Sequence, residues 1–205
     1  SFNIYCRAWS GTREYRLKFL ELAQSVNSAR ITFDQYDSGQ HYQQHQYYNT
    51  NFQLEQELMP RWDTVSADSS ASATYDVDHY QRCAVDVVLE TLFDDSRLHL
   101  TEKVLRPIAC GKPFVLAATA GSLQYLRDYG FRTFDSIWDE SYDSIKDPVE
   151  RLSAIAETMR NIDQKKLWKH AQEICDHNRQ HFFSEEFAGK LAQELIFNLY
   201  TACGT

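Results

Sequence analysis

The sequence predicts an α/β fold in which a mainly parallel sheet is flanked by helices and the C-terminal third is helical. Apolar, strand-like runs alternate with amphipathic helical segments in residues 1–36 and again in residues 83–131. From residue 147 to about residue 202 the apolar spacing is helical almost throughout. Strands joined through helices pair in parallel, so this alternation indicates a Rossmann-like architecture. We expect one such domain over residues 1–205, a length that can bury a sizeable core.

The chain is predicted to open with a strand, a helix and a second strand. β-forming residues fill residues 2–9, and Ser10-Gly11-Thr12 then provides a turn. An amphipathic helix is expected over residues 13–26, and a second strand over residues 29–36. The apolar positions of the helix recur every three or four residues: Tyr15, Phe19, Leu22 and Val26.

A polar insertion is predicted near residues 37–80. Residues 41–56 are rich in Gln, Tyr, His and Asn, and an exposed helix is expected there through Phe52, Leu54 and Leu58. The small polar residues 66–74 indicate a loop, and residues 76–81 a short turn. A solvated connection is favoured over a lid that binds an acceptor.

The central part of the chain predicts a second strand–helix–strand unit. A buried strand is expected over residues 83–89, and Thr101-Glu102-Lys103 opens the helix that follows. Gly111-Lys112-Pro113 ends that helix before a strand over residues 114–117. A helix over residues 122–129 and a short strand over residues 131–134 are expected next.

Two or three helices are predicted over residues 147–203. Asp147 is expected to cap the first of them, with Pro148 in the first turn and Glu150 at the third helical position.

Bulk composition excludes several classes of function. A net charge of −8 disfavours general nucleic-acid binding, which depends on neutralising phosphates. The sequence has no run of 18 apolar residues, so no transmembrane segment is expected, and its first residues do not resemble a signal peptide. The five scattered cysteines contain no C-x-x-C pair and predict reduced thiols in a cytoplasmic protein.

Charged residues follow the predicted strands at the positions where α/β proteins bind ligands. Arg13 and Arg16 follow the first strand, and Glu90 ends the third. Lys103 and the helix start favour an anion such as a diphosphate, and Glu90 or Glu102 could accept hydrogen bonds from sugar hydroxyls. The alternatives are a solvated helix face for the two arginines and dipole stabilisation for Glu102.

Neither candidate metal site has the spacing of a ligand set. The acidic loop that contains Asp139, Glu140 and Asp143 is expected to cap and hydrogen-bond the backbone instead of binding a cation. The i,i+4 histidine pairs, 41/45 and 177/181, lack the H-E-x-x-H pattern and are expected to be surface or interface residues. We therefore predict no metal and no cofactor.

Three motifs occur in an order that resembles the donor-binding domain of GT-B glycosyltransferases, most closely the fucosyltransferase-like families. They are Leu89-Glu90-Thr91, Thr101-Glu102-Lys103 and Gly111-Lys112-Pro113-Phe114-Val115. The first departs from the family pattern at Thr91, where those enzymes usually carry Asn.

The resemblance implies transfer of a sugar from a nucleotide diphosphate sugar, without a bound metal, to a glycan or related hydroxyl acceptor. It also implies that a second glycosyltransferase domain takes part in catalysis. The donor-binding residues carried over are Arg13, Arg16, Glu90, Thr101, Glu102 and Lys103.

Two alternatives remain open. One is a non-catalytic nucleotide- or glycan-binding or assembly module of the same fold, because the sequence reveals no catalytic base. The other is a transferase acting on modified DNA bases, which the acidic charge disfavours.

Overall fold

In the computed structural model, which describes residues 1–26, 28–58 and 76–204, a four-stranded parallel sheet forms the centre of the protein. The strands are β1 (Phe2–Cys6), β2 (Ala29–Phe33), β3 (Tyr36–Asp37), β4 (Gln40–His41), β5 (Val85–Leu89) and β6 (Phe114–Ala117). The sheet order is β2-β1-β5-β6, and every neighbouring pair is parallel. The predicted α/β fold class is confirmed.

Helices flank the sheet and fill the C-terminal part of the chain. They are α1 (Tyr15–Ala23), α2 (Val77–Arg82), α3 (Glu102–Ala109), α4 (Ser122–Asp128), α5 (Pro148–Asn161), α6 (Gln164–Phe182) and α7 (Glu185–Cys203). Helix α3 packs against β5, β6 and α6, whereas α5 packs against β6 and α1. No helix in the described ranges is both long enough and apolar enough to cross a membrane.

The predicted helix boundaries in the second half agree closely with the structure because they depend on local capping. The Thr101 hydroxyl caps α3, and the Asp147 carboxylate accepts from the backbone N–H groups of Val149 and Glu150 at 2.9 and 2.8 Å. Gly111 follows the end of α3 with a φ of +64°, a conformation that favours glycine.

The second strand is shorter than predicted because the chain folds back on itself. Tyr36 and Asp37 pair with His41 and Gln40 in an antiparallel hairpin separate from the main sheet. Ser38 and Gly39 form its turn with φ values of +54° and +81°, as a type I′ turn requires.

The predicted helix through Phe52, Leu54 and Leu58 is wrong. Short 3-10 turns form at Tyr42–Gln44 and Thr50–Phe52 instead. The Glu14 carboxylate accepts from the backbone N–H groups of Tyr48 and Asn49, each at 2.6 Å, so this backbone bonds to the start of α1 instead of to itself.

The insertion is also less solvated than expected. Tyr42, Phe52 and Leu58 are buried in the hydrophobic core. Residues 76–81, predicted as a turn, largely form α2. The loop predicted over residues 66–74 lies outside the described residues.

The short strand predicted over residues 131–134 is also wrong. The backbone of Arg132 bonds to a side chain, because its N–H donates to Asn178 Oδ1 and its carbonyl accepts from Asn178 Nδ2, both at 2.8 Å. One amide on α6 thus satisfies the groups that a neighbouring strand would have paired.

Candidate functional site

A cavity of about 320 Å³ opens beside the two central strands of the sheet. After β1 the chain continues to β2 on one side of β1, and later returns to form β5 on the other side of β1. The strand order therefore reverses between β1 and β5. Open parallel sheets bind ligands in the crevice beyond the carboxyl ends of such strands. The cavity is lined there by residues that follow β1 and by the start of α3.

Four of the six residues predicted from the sequence line this cavity. They are Arg13, Arg16, Glu102 and Lys103. Arg13 and Lys103 lie 90 positions apart in the chain, and the parallel pairing of β1 with β5 brings the segments that follow these strands to the same edge of the sheet.

Arg13 is the least engaged of these cations. It ends a 3-10 turn, Gly11–Arg13, and no described residue hydrogen-bonds to its guanidinium or pairs with it ionically. Burial and the neighbouring charge of Arg16 lower the pKa of Arg13, although an arginine stays protonated in proteins. An anion in the cavity would offset both effects.

Lys103 is held at the N-terminus of α3 with its amine directed towards the preceding turn. Its Nζ lies 3.1 Å from Thr101 Oγ1, 3.4 Å from Thr91 Oγ1 and 3.1 Å from Glu102 Oε1. Burial lowers the pKa of Lys103, and the carboxylates of Glu102 and Glu90 oppose this only in part. The helix N-terminus and the ammonium together favour a negatively charged ligand.

Glu102 is shared between two cations on the first turns of α3. Burial acts to raise its pKa, but the hydrogen bond from Lys103 and the charges of Lys103 and Arg106 outweigh it, so the pKa lies below its ordinary value. The carboxylate therefore stays ionised and can accept hydrogen bonds from ligand hydroxyls.

Glu90 and Thr101 do not line the cavity but form a support beside it. Glu90 is fully buried, and its carboxylate accepts from the Thr101 N–H at 3.0 Å, the Thr101 hydroxyl at 2.7 Å and the Thr91 N–H at 3.2 Å. These bonds fix the N-terminus of α3 against the end of β5 and so position Lys103.

Arg16 is buried, so the solvated helix face proposed as its alternative is wrong. Its guanidinium donates to the carbonyls of Ala8 at 2.6 Å, Leu89 at 2.9 Å and Glu90 at 2.9 Å. It thereby joins the segments that follow β1 and β5, while its buried Nε has no hydrogen-bond partner among the described residues.

The inner wall of the cavity contains residues that the sequence analysis did not identify. The Tyr5 and His79 rings stack at a centroid distance of 6.0 Å, and the Tyr5 hydroxyl is hydrogen-bonded to His79 Nδ1. His79 also contacts Arg30 at 2.8 Å and Asp76 at 3.2 Å. Aromatic rings at this end could contact the flat face of a base or a sugar.

A buried carboxyl group also lines this wall. Asp86 lies in β5 and accepts from Asn3 Nδ2 at 2.7 Å across the pairing of β1 with β5. Burial raises the pKa of Asp86 to about 7, against the opposing effects of Asn3 and Arg106. Asn3 and Tyr5 alternate along β1 and so share a face, which is the one sequence signal that could have indicated this wall.

The cavity carries positive charge in an otherwise acidic protein. Among the described residues, five basic side chains line it: Arg7, Arg13, Arg16, Lys103 and Arg106. Three described carboxyl groups, Asp76, Asp86 and Glu102, also line it, so this lining carries an excess of two positive charges when all three are ionised, while the chain as a whole carries −8. A dianionic or trianionic phosphate ligand would neutralise this surplus.

A larger cavity, of about 520 Å³, lies between α5, the start of α6 and the loop that contains Trp138. Asp139, Glu157 and Asp163 line it, and no described arginine or lysine side chain does. Trp138 stacks on Phe134, which contacts Phe114 at the beginning of β6. None of the residues predicted to bind a donor lines this larger cavity, so we place the candidate site in the smaller, basic one.

The carboxylates of the acidic loop accept hydrogen bonds from backbone N–H groups, as the sequence analysis expected. Asp139 accepts from the Ser141 N–H at 2.8 Å, and Asp143 accepts from the Leu123 N–H at the start of α4 at 3.1 Å. Glu140 accepts from the Phe134 N–H at 2.9 Å. Within residues 1–26, 28–58 and 76–204, no group of three or more metal-ligating side chains converges.

Three of the four paired histidines form hydrogen bonds to a carboxylate or to backbone carbonyls. His45 Nε2 contacts Glu14 at 2.9 Å, whereas His177 and His181 contact the carbonyls of Gly130 and Tyr129 at 3.0 and 2.7 Å.

Comparisons with protein-family models, curated proteins and solved structures find no match to this chain. The function of the basic cavity has to be argued from its chemistry.

Proposed function

We propose that the basic cavity binds a nucleotide diphosphate sugar and that the chain is a glycosyltransferase or its donor-binding domain. Transfer would pass the sugar to a hydroxyl of a glycan or a related acceptor. The observation that carries this proposal is the shared lining of one crevice by Arg13 and Lys103 at the reversal of strand order.

The diphosphate is assigned to the mouth of the cavity. Arg13 has no described partner and can form two parallel hydrogen bonds with a phosphate. Lys103 adds a charge at the N-terminus of α3, where the backbone dipole also favours an anion. Both groups would stabilise the negative charge that develops on the departing nucleotide diphosphate.

The remaining lining supports a ligand with hydroxyl groups and a ring. Glu102 is ionised and can accept from hydroxyls, and Tyr5 and His79 offer aromatic surface along the inner wall. A volume of about 320 Å³ is at the lower end for ligand cavities, which suits the nucleotide part of a donor.

A second candidate is a nucleotide-binding module without turnover. Each carboxyl group that lines the described cavity already has a partner: Glu102 has Lys103, Asp76 has His79 and Asp86 has Asn3. Transfer to a hydroxyl needs a group that removes its proton, and each of these three carboxyl groups is already engaged by a neighbouring side chain before an acceptor binds. This favours either a passive module or a base supplied by a second domain.

The test is titration calorimetry with a nucleoside and its diphosphate. Lys103→Ala should weaken diphosphate binding by about 1.5–3 kcal/mol, or one to two decades in Kd, and leave nucleoside binding nearly unchanged. Lys146→Ala removes an exposed lysine outside the cavity and serves as the matched control. Equal small losses for both ligands would refute the phosphate role of Lys103.

Turnover is measured separately. Wild-type protein that binds a nucleotide sugar should also hydrolyse or transfer it if it is an enzyme by itself. Tight binding without product over a long incubation would favour the passive module or the missing domain.

A further inference from the structure

The turn that carries Arg13 is held weakly by its own hydrogen bonds. The Arg13 N–H donates to the Ser10 carbonyl and the Glu14 N–H to the Gly11 carbonyl, both at 3.3 Å. Such bonds are commonly about 2.9–3.0 Å long. The Ser10 side chain precedes the turn but does not cap it. The position of Arg13 therefore depends on contacts with other parts of the chain.

Asp37 supplies two of these contacts. Its Oδ2 accepts from the Trp9 N–H at 2.9 Å and from the Ser10 N–H at 2.7 Å. Burial acts to raise the pKa of Asp37, but the hydrogen bonds from Ser10 and Trp9 outweigh it, so the pKa lies below its ordinary value. The carboxylate is ionised, and hydrogen bonds to a charged acceptor are stronger than bonds to a neutral one. Asp37 thus fixes the two residues that lead into the turn.

The β3–β4 hairpin gives Asp37 its position. Asp37 ends β3 and pairs with Gln40 across the hairpin. Trp9 is fully buried, and its indole N–H donates to the Asp34 carbonyl, just before the hairpin, at 2.9 Å. We call the bonds of Asp34 and Asp37 to Trp9 and Ser10 the Asp37 clamp. It attaches the hairpin, which lies outside the main sheet, to the wall of the basic cavity.

The charge of Asp37 by itself would oppose an anionic ligand. Burial and Arg16 lower the pKa of Arg13, and the negative charge of Asp37 acts in the opposite direction. Asp37 is therefore close enough to act on Arg13 electrostatically. A carboxylate near a phosphate site repels the phosphate. A positional role and a purely electrostatic role consequently predict opposite changes in phosphate affinity when the Asp37 side chain is removed.

We propose that Asp37 is a positioning residue, which acts through the Asp37 clamp to hold the Arg13 guanidinium at the basic cavity for a diphosphate. This inference rests on the proposed function, because it takes the diphosphate as the ligand of Arg13.

The test is titration calorimetry with inorganic pyrophosphate, which probes the phosphate contacts without a base or a sugar. Asp37→Ala should weaken binding about tenfold or more, because a displaced Arg13 loses its charged hydrogen bonds. Asp176→Ala removes an exposed carboxylate of α6 that does not line the cavity, and it should leave the affinity unchanged.

Asp37→Asn is the conservative variant. Its amide oxygen can take the place of Oδ2 and accept from both N–H groups, and its amine can donate to the Ser38 hydroxyl, which lies 3.3 Å from Oδ1. This variant keeps the geometry and removes the charge, so it should bind pyrophosphate at least as tightly as the wild type. Equal or tighter binding by Asp37→Ala would overturn the proposal and leave Asp37 as a local charge only.

A double-mutant cycle tests whether Asp37 acts through Arg13. Arg13→Ala alone should weaken pyrophosphate binding, and adding Asp37→Ala should cause no further loss. Additive losses would overturn the positioning role. A wild type that binds no pyrophosphate would overturn the proposed function and this inference together, whereas the failures above concern Asp37 alone.

Amide hydrogen exchange tests the Asp37 clamp without any ligand. Asp37→Ala should accelerate exchange at the Trp9 and Ser10 amides, and Asp37→Asn should keep most of their protection, because protection depends on the hydrogen bonds that hold these amides. Unchanged exchange at both amides in Asp37→Ala would overturn the proposal whatever the cavity binds.

Discussion

Substitution of Glu90 by Gln tests whether this residue acts as a support of the site. The carboxylate is fully buried and accepts from the Thr101 N–H, the Thr101 hydroxyl and the Thr91 N–H. Gln can keep one acceptor and can donate to the Thr101 hydroxyl, but it loses the negative charge and leaves one N–H without an acceptor.

The magnitude follows from these contacts. A hydrogen bond to a charged group contributes about 1.5–3 kcal/mol, compared with about 0.5–1.5 kcal/mol for a neutral one. With two bonds weakened in this way, Glu90→Gln should lower the free energy of unfolding by about 2 kcal/mol. At a urea dependence of about 2 kcal/mol per molar, the midpoint should fall by about 1 M.

Urea unfolding followed by circular dichroism measures this shift. Glu186→Gln, an exposed carboxylate in the first turn of α7, is the matched control and should change stability by less than about 0.5 kcal/mol. An unchanged midpoint for Glu90→Gln, together with altered ligand selectivity, would refute the supporting role and return Glu90 to direct donor binding.

Two further substitutions separate structural from binding roles. Arg16→Lys should destabilise the fold by about 2–4 kcal/mol in thermal or urea unfolding, because one ammonium cannot bridge the carbonyls of Ala8, Leu89 and Glu90. Wild-type stability for Arg16→Lys would contradict the bracing role. The pKa of Asp86 is about 7 in the folded protein, above its unfolded value near 4, so Asp86 should make unfolding easier as pH rises from about 4 to about 7. Asp86→Asn should remove this part of the pH dependence and stabilise the protein at pH 8, and identical pH profiles for the two proteins would contradict the assignment.

Local signals were sufficient for most of the fold. Mainly apolar runs of four or five residues identified β5 and β6, and capping residues located the beginnings of α3 and α5. These predictions succeeded because hydrophobic periodicity and N-caps act within a few residues of the chain.

The errors occurred where a distant side chain replaced local pairing. Glu14 accepts from the backbone N–H groups of Tyr48 and Asn49, and Asn178 accepts from the N–H of Arg132 and donates to its carbonyl. No pattern within residues 41–58 or 131–134 indicates partners from other parts of the chain.

The sequence by itself determined the α/β class, the cap of α3 and the presence of Arg13 and Lys103 after two of the strands. Only the tertiary structure decided which charged residues face the cavity and which support it, because parallel pairing of β1 with β5 brings distant segments together. It turned Arg16 and Glu90 towards backbone groups, added Tyr5, His79 and Asp86 to the wall, and left Leu195 and Leu199 of α7 exposed. Hydrophobic periodicity specifies that a helix has an apolar face, but the contacts of Lys190 and Glu194 determine where that face points.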